Sequence, residues 1–448
     1  MRALRRFAAY TGTMLCSLLF SAPFLLISTP PLDPRVDPAK VTRLPTPIVA
    51  TEPEVARTQP PQVVHRIATN PANARLDPET FAKAERTITR GLAALASMQT
   101  TRGTWFETEE VEPTGMEPRK RAASVAVTAM ALKAFVQAGG LVRGDTLTRA
   151  RNAIDGVLVD PNVLATVIDG GIGNYVMSSV ASAFAAIGDE DAKAASLRAI
   201  AWLRDNQWDA AEGLDANMDW YGGAGYGNGK RPDLSNTQMM LDAMHDAGVS
   251  ADDPAMQRAL AFVARAQNRK ASNPAEWAKN GTGDGGFVYS PANGGESFAS
   301  DHAGEGRYGE KLATKSLRSY GSMTYAGFKS MLYAGLSKDD PRVRDALAWI
   351  AANFTFAENP GLGQQGYFYY VHAMSRALHA AGVERITAAN GTDHAWRSEL
   401  IDALSSRQRE DGTWKNESER WEESNEALAT IYAVLALEEA LKPQISTE

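Results

Sequence analysis

Residues 99–105 read QTTRGTW and residues 408–414 read QREDGTW. Each phrase closes an amphipathic stretch, GLAALASMQ ending at Gln99 and LIDALSSRQ ending at Gln408. Both set a glutamine, three intervening residues and then Gly-Thr-Trp, so Gln99, Gly103 and Trp105 correspond to Gln408, Gly412 and Trp414. Self-similarity near the two ends of one folded region marks an architecture built by repetition.

Working outward from these phrases, the apolar spacing is that of amphipathic helices, with almost no strand-like alternation. The fold class is all-α. One set of segments is charged along one face: 82–99, 145–160, 191–207, 252–267, 339–354 and 395–408. The other set is rich in small residues and barely charged: 123–139, 174–188, 233–248, 321–336, 366–382 and 424–441. A helix apolar nearly all round is buried, whereas one with a single apolar stripe lies outside. The sets alternate, which gives six outer–inner pairs and predicts an (α/α)6 toroid over residues 79–442. SADDP at 250–254 and SKDDP at 337–341 read as acidic caps before a proline at the first helical position. Ala138-Gly139 and Ala247-Gly248 read as helix stops. In such a ring the pocket lies where the inner-helix N-termini converge, and the inserts 106–121, 208–232 and 268–318 line its mouth.

The formal charge is −7, which offers no electrostatic footprint for nucleic acid. With one cysteine, Cys16, there is no disulfide framework and no cysteine zinc site in the folded part. MRALRR followed by the apolar run 7–28 is a membrane-targeting segment. It has the length of a membrane span and the layout of a secretory signal, so anchor and cleaved signal both stand as readings of 1–28. Either way the remainder is expected to be exported to an extracytoplasmic compartment, tethered to the membrane if 7–28 is retained. Residues 29–78 are proline-rich with few aromatics and read as a disordered linker, with the fold starting near Leu76.

The Gln-x-x-x-Gly-x-Trp phrases, weaker versions after Gln207 and Gln267, and Asp284-Gly285-Gly286-Phe287 together resemble the prenyltransferase and squalene–hopene cyclase repeat family. The resemblance covers roughly residues 80–440. It implies the toroid, a structural role for the glutamine and tryptophan in tying repeats together, and a polyprenoid in the central cavity. Cyclases of this family open their reaction with Asp-x-Asp-Asp-Thr at an inner-helix N-terminus, the middle aspartate protonating the substrate. The aligned stretch here is Asp233-Leu234-Ser235-Asn236-Thr237, with Ser235 in the proton-donating position. A serine hydroxyl cannot protonate an unactivated alkene. If the chain cyclises a polyprenoid by protonation, Asp233 or another acid must take over, and Asp233 also reads as a plain helix cap. The zinc-dependent protein prenyltransferases need a cysteine ligand, and this chain has none beyond Cys16, so neither metal nor cofactor is expected.

Trp220, Tyr221 and Tyr226 form a glycine–aromatic loop ahead of Asp233. With Asn236, Tyr320, Tyr325, Tyr369, Tyr370 and His372 they are the pocket-lining candidates for an apolar small molecule or lipid, aromatic faces being what such a site uses. The bland alternative is that the tyrosines and His372 fill core. His302, with Glu296, Asp301 and Glu305, has no standard ligand spacing and reads as a solvated loop. Glu422, Glu423 and Glu426 precede the last inner helix and suit its N-terminus. Two further functions remain open: a toroid that binds a lipid or partner without catalysis, and a carbohydrate-active enzyme with paired carboxylates drawn from Asp219, Asp233 and Glu423.

Overall fold

The structure is a computed structural model that describes residues 66–107, 116–139, 145–227, 229–299 and 316–443. The expected targeting segment, most of the expected 29–78 linker, and Asp301, His302 and Glu305 lie outside the described residues. No described helix is long and apolar enough to cross a membrane.

All twelve expected helices form. The outer set is α2 (Pro78–Met98), α4 (Thr146–Val159), α7 (Glu190–Asp205), α9 (Pro254–Arg265), α12 (Pro341–Ala352) and α14 (Trp396–Arg407). The inner set is α3 (Pro118–Gln137), α6 (Gly173–Ile187), α8 (Leu234–Asp246), α11 (Gly321–Tyr333), α13 (Tyr367–Ala380) and α15 (Glu426–Leu441). Three short helices were not expected: α1 (Pro71–Ala74), α5 (Pro161–Ile168) and α10 (Glu276–Lys279). Two two-stranded ribbons complete the elements: β1 (Ala224–Gly225) with β2 (Pro232–Asp233), and β3 (Ile386–Thr387) with β4 (Asp393–His394), both antiparallel.

The inner helices pack in sequence, α3 on α6, α6 on α8, α8 on α11, α11 on α13 and α13 on α15. Helix α15 then packs back on α3, so the contacts close into a ring. Outer helices α7, α9, α14 and α2 each touch two successive inner helices and seat over the joints, while α4 and α12 pack on the preceding inner helix. Burial follows suit. Helix α9 buries Ala255, Met256, Ala259, Leu260, Phe262 and Val263 along one face, while α15 buries nearly every residue it has.

Caps behave as their chemistry requires. Asp253 and Asp340 accept from Ala255 N and Arg342 N just ahead of Pro254 and Pro341. The packed chain begins earlier than the expected start near Leu76, because Ile67 N donates to Gln137 O at 3.3 Å and Ala68 N to Leu441 O at 2.8 Å. These bonds satisfy carbonyls at the C-terminal ends of α3 and α15 and draw the last residues of the expected linker into the fold.

The repeated phrase is one device used four times. Gln99 Nε2 donates to Gly103 O at 3.1 Å and to Thr146 O, in the first turn of the next outer helix, at 2.9 Å. Gln207 bonds Gly222 O and Ala255 O, Gln267 bonds Gly285 O and Arg342 O, and Gln408 bonds Gly412 O and Thr87 O. The glycines at 103, 222, 285 and 412 all have φ between +82° and +86°, where only glycine is unstrained. Two residues on, the amides of Trp105, Ala224, Phe287 and Trp414 donate to Thr128, Thr237, Thr324 and Thr430 of the inner helices. The device thus pins an outer helix, the next outer helix and an inner helix together. Trp105 and Trp414 are fully buried, and their indole N–H groups return to Leu95 O and Leu404 O.

Candidate functional site

The ribbon β1–β2 delivers the chain to α8, pairing Ala224 with Asp233. Tyr289 and Ser290 hold the same strand from the other side, through Leu234 N to Tyr289 O at 2.8 Å and Ser290 Oγ to Pro232 O at 2.8 Å. Asp233 is therefore fixed at the start of α8 and is 2% exposed. Asn236 donates its backbone N–H to Asp233 Oδ1 and its Nδ2 to Oδ2, each at 2.8 Å. Burial raises the Asp233 carboxyl to about 6, and the two bonds from Asn236, Arg231 and the Tyr289 hydroxyl hold it from rising further.

Tyrosines gather around this acid. Tyr175, Tyr226, Tyr289, Tyr320 and Tyr369 all lie within electrostatic reach of Asp233. Burial is the largest cause in each case, pushing Tyr226 up to about 12 and raising the other four above the usual tyrosine range. Tyr175 stacks on Tyr226 with centroids 5.7 Å apart, and Tyr226 Oη is 3.4 Å from Tyr289 Oη. Ser235 Oγ sits between Tyr175 Oη at 2.6 Å and Tyr369 Oη at 3.1 Å. Arg231 pairs with Glu296 and lies over the Tyr289 ring.

Beyond this tyrosine-rich end the ring is bridged by charge. Lys329 on α11 donates to Gln238 Oε1 at 2.8 Å and Asp242 Oδ2 at 2.6 Å on α8. Asp246 on α8 takes Lys133 from α3 at 2.5 Å, and both terminal nitrogens of Arg376 from α13 at 2.8 and 3.2 Å. Helices α3 and α8 are separated by α6, and α8 and α13 by α11, so these pairs cross the interior of the ring. All five charged residues are buried. Burial and the nearby Arg376 lower Lys133 to about 8, with Asp246 opposing them.

The sequence candidates divide. Asp233, Asn236, Tyr226, Tyr320 and Tyr369 come together at the tyrosine-rich end. Trp220 does not. It packs edge-on against Trp208 in a satellite cluster with Leu214 and Ala292, donates to Asn293 Oδ1, and takes Tyr221 with it. Tyr325 and Tyr370 pack on each other in the core, and Tyr370 Oη donates to Thr355 O. His372 packs on Tyr432, and burial holds it well below its usual range. Glu423 serves a different helix from the one expected. It accepts Phe368 N at 3.2 Å and Tyr369 N at 2.8 Å, capping α13, while Asn425 caps α15. Burial raises Glu423 to about 7. Asp219 is fully buried and accepts from Asn293 N in the loop cluster. Asp219 and Glu423 thus serve as structural acceptors, and no described contact joins either to Asp233. The residues that sequence reasoning passed over are Tyr175, Tyr289, Gln238 and Lys329. Only Lys329 carried a signal, as a lone charge inside the otherwise uncharged stretch 321–336. No group of potential metal ligands occurs among the described residues.

Neither a protein-family model nor a curated protein matches this sequence. Among solved structures, the chain is similar to the type II terpene cyclase MstE from Scytonema. A variant in complex with geranylgeranyl dihydroxybenzoate superposes with a TM-score of 0.31 and 12% identity, over 81% of this chain and 99% of that one. The ligand-free enzyme gives 0.29 and 13% over 80% and 99%, and a variant with merosterolic acid A gives 0.29 and 13% over 81% and 98%. Superpositions at this score carry no argument about activity, which rests on the chain's own geometry.

Proposed function

We propose that the chain is an α/α toroid of the squalene-cyclase and prenyltransferase repeat type that binds a prenyl-type lipophilic molecule at its tyrosine-rich end without cyclising it. The carrying observation is Asn236. Its two N–H donors occupy both oxygens of Asp233, favour the carboxylate, and commit the group to capping α8. An acid with a pKa of about 6 is mostly ionised at neutral pH and then carries no proton to give to an alkene. The ionic bridges across the ring support the same reading, since an extended polyprene folding through the whole interior would have to displace buried, paired charges. Aromatic walls with a few hydroxyls suit an apolar body with one polar end. Export, with tethering if 7–28 is retained, belongs to this proposal as the route by which the toroid would meet lipid.

The test incubates the full-length protein with squalene, with farnesol and with farnesyl diphosphate, then analyses organic extracts and the protein-bound fraction by mass spectrometry. The expected result is bound, unchanged prenyl compound. A cyclised product that disappears in Asp233→Asn would replace binding with catalysis.

A further inference from the structure

Three hydroxyls at the tyrosine-rich end, those of Tyr369, Ser235 and Tyr175, form two contacts, Tyr369 Oη to Ser235 Oγ and Ser235 Oγ to Tyr175 Oη. Three protons shared over two contacts leave one proton without an acceptor among the described residues. Its place follows from the charged end of the chain of bonds. An ammonium only donates, so Lys329 fixes Gln238 with Oε1 towards it. Gln238 Nε2 must then donate to Tyr369 Oη, 3.1 Å away. Either oxygen of each pair can donate; in the order that continues from Gln238, Tyr369 donates to Ser235 and Ser235 to Tyr175. That order delivers the surplus donor at Tyr175. Each link polarises the next in a low-dielectric interior, which strengthens the terminal donor. Tyr175 is half-buried, stacked on Tyr226, and lies at the first turn of α6 beside Asp233.

We propose that the Tyr175 hydroxyl is a ligand-facing hydrogen-bond donor, oriented by the relay from Lys329, that selects molecules carrying an acceptor oxygen at the tyrosine-rich end. This rests on the reading of that end as the ligand site and adds the polar group the ligand must present: a hydroxyl, carbonyl or carboxylate oxygen.

The test titrates full-length protein with farnesol and with its oxygen-free counterpart farnesene, following intrinsic fluorescence. Wild type should prefer farnesol by about three- to tenfold, the worth of one net hydrogen bond. Tyr175→Phe should remove that preference, and Ser235→Ala should reduce it. A full farnesol preference in Tyr175→Phe overturns the assignment. If neither compound binds wild type, the ligand-site reading fails, and the relay is judged separately by Raman spectroscopy. The tyrosine Fermi doublet in the wild-type-minus-Tyr175→Phe difference should show Tyr175 as an acceptor, and Ser235→Ala should abolish that signature. A doublet unchanged by Ser235→Ala overturns the relay.

Discussion

Asp233 and Glu423 are buried acids whose carboxyls lie well above their ordinary range, at about 6 and about 7. In the unfolded chain such groups titrate near about 3.9 and 4.3. Between those values the folded state binds more protons than the unfolded one. Their contribution to stability is therefore complete below about pH 4 and is lost as pH rises through about 6 for Asp233 and about 7 for Glu423. Urea midpoints are expected to fall between pH 5 and pH 8. Asp233→Asn, which keeps a capping oxygen and cannot ionise, should flatten part of that slope, worth on the order of 2 kcal/mol. An unchanged slope would mean that Asp233 does not titrate in this range. The cap role of Asp233 is readable from Pro232-Asp233 before a barely charged helical run. The relay is not, because Tyr175, Ser235, Gln238, Lys329 and Tyr369 lie on four helices and meet only through the closure of the ring.

The elements that were easiest to read are those whose chemistry is local. Proline-led caps, Ala-Gly stops and the contrast between one-sided and all-round apolar helices each act within a few residues, and all twelve main helices follow from them. Helix α5 escaped because Pro161–Ile168 is short and sits in a stretch that reads as a connection between two pairs. The glutamine–glycine device was legible as a pattern, and its geometry explains the spacing. A Cβ on Gly222 would lie 1.8 Å from Arg258 O, and one on Gly285 would lie 2.5 Å from Asp345 O, both with φ above +80°. Gly222→Ala should therefore destabilise by at least about 2–3 kcal/mol from strain and clash. Gln207→Ala, which abandons two carbonyls at a buried joint, should cost about 2 kcal/mol. Chemical denaturation of the two variants checks both, and a neutral Gly222→Ala would refute the tight seating of this loop on α9.

At the scale of the whole molecule, ring closure and ionic bridging are the same fact seen twice. The bridges join α3, α8, α11 and α13, and those of Asp246 to Lys133 and Arg376 tie together helices that the ring itself keeps apart. Buried pairs of this kind are costly to break and cheap to replace as a unit. Lys329→Met alone should cost about 3 kcal/mol by leaving Asp242 with only the longer pair to Arg376 Nε at 3.6 Å, while Lys329→Met with Asp242→Leu should return to within about 1–2 kcal/mol of wild type. Equal losses in the single and double variants would show that the pair does not act as a unit. The central claim is that ligand occupies the tyrosine-rich end and stops at the charged bridge. A farnesol probe bearing a terminal diazirine, photolysed with the full-length protein and mapped by peptide mass spectrometry, tests it most directly. The account predicts label on the segments carrying Tyr175, Tyr226, Tyr289, Tyr320 and Tyr369. Label concentrated instead around Lys133, Asp246 and Arg376, deep in the ring, would contradict it.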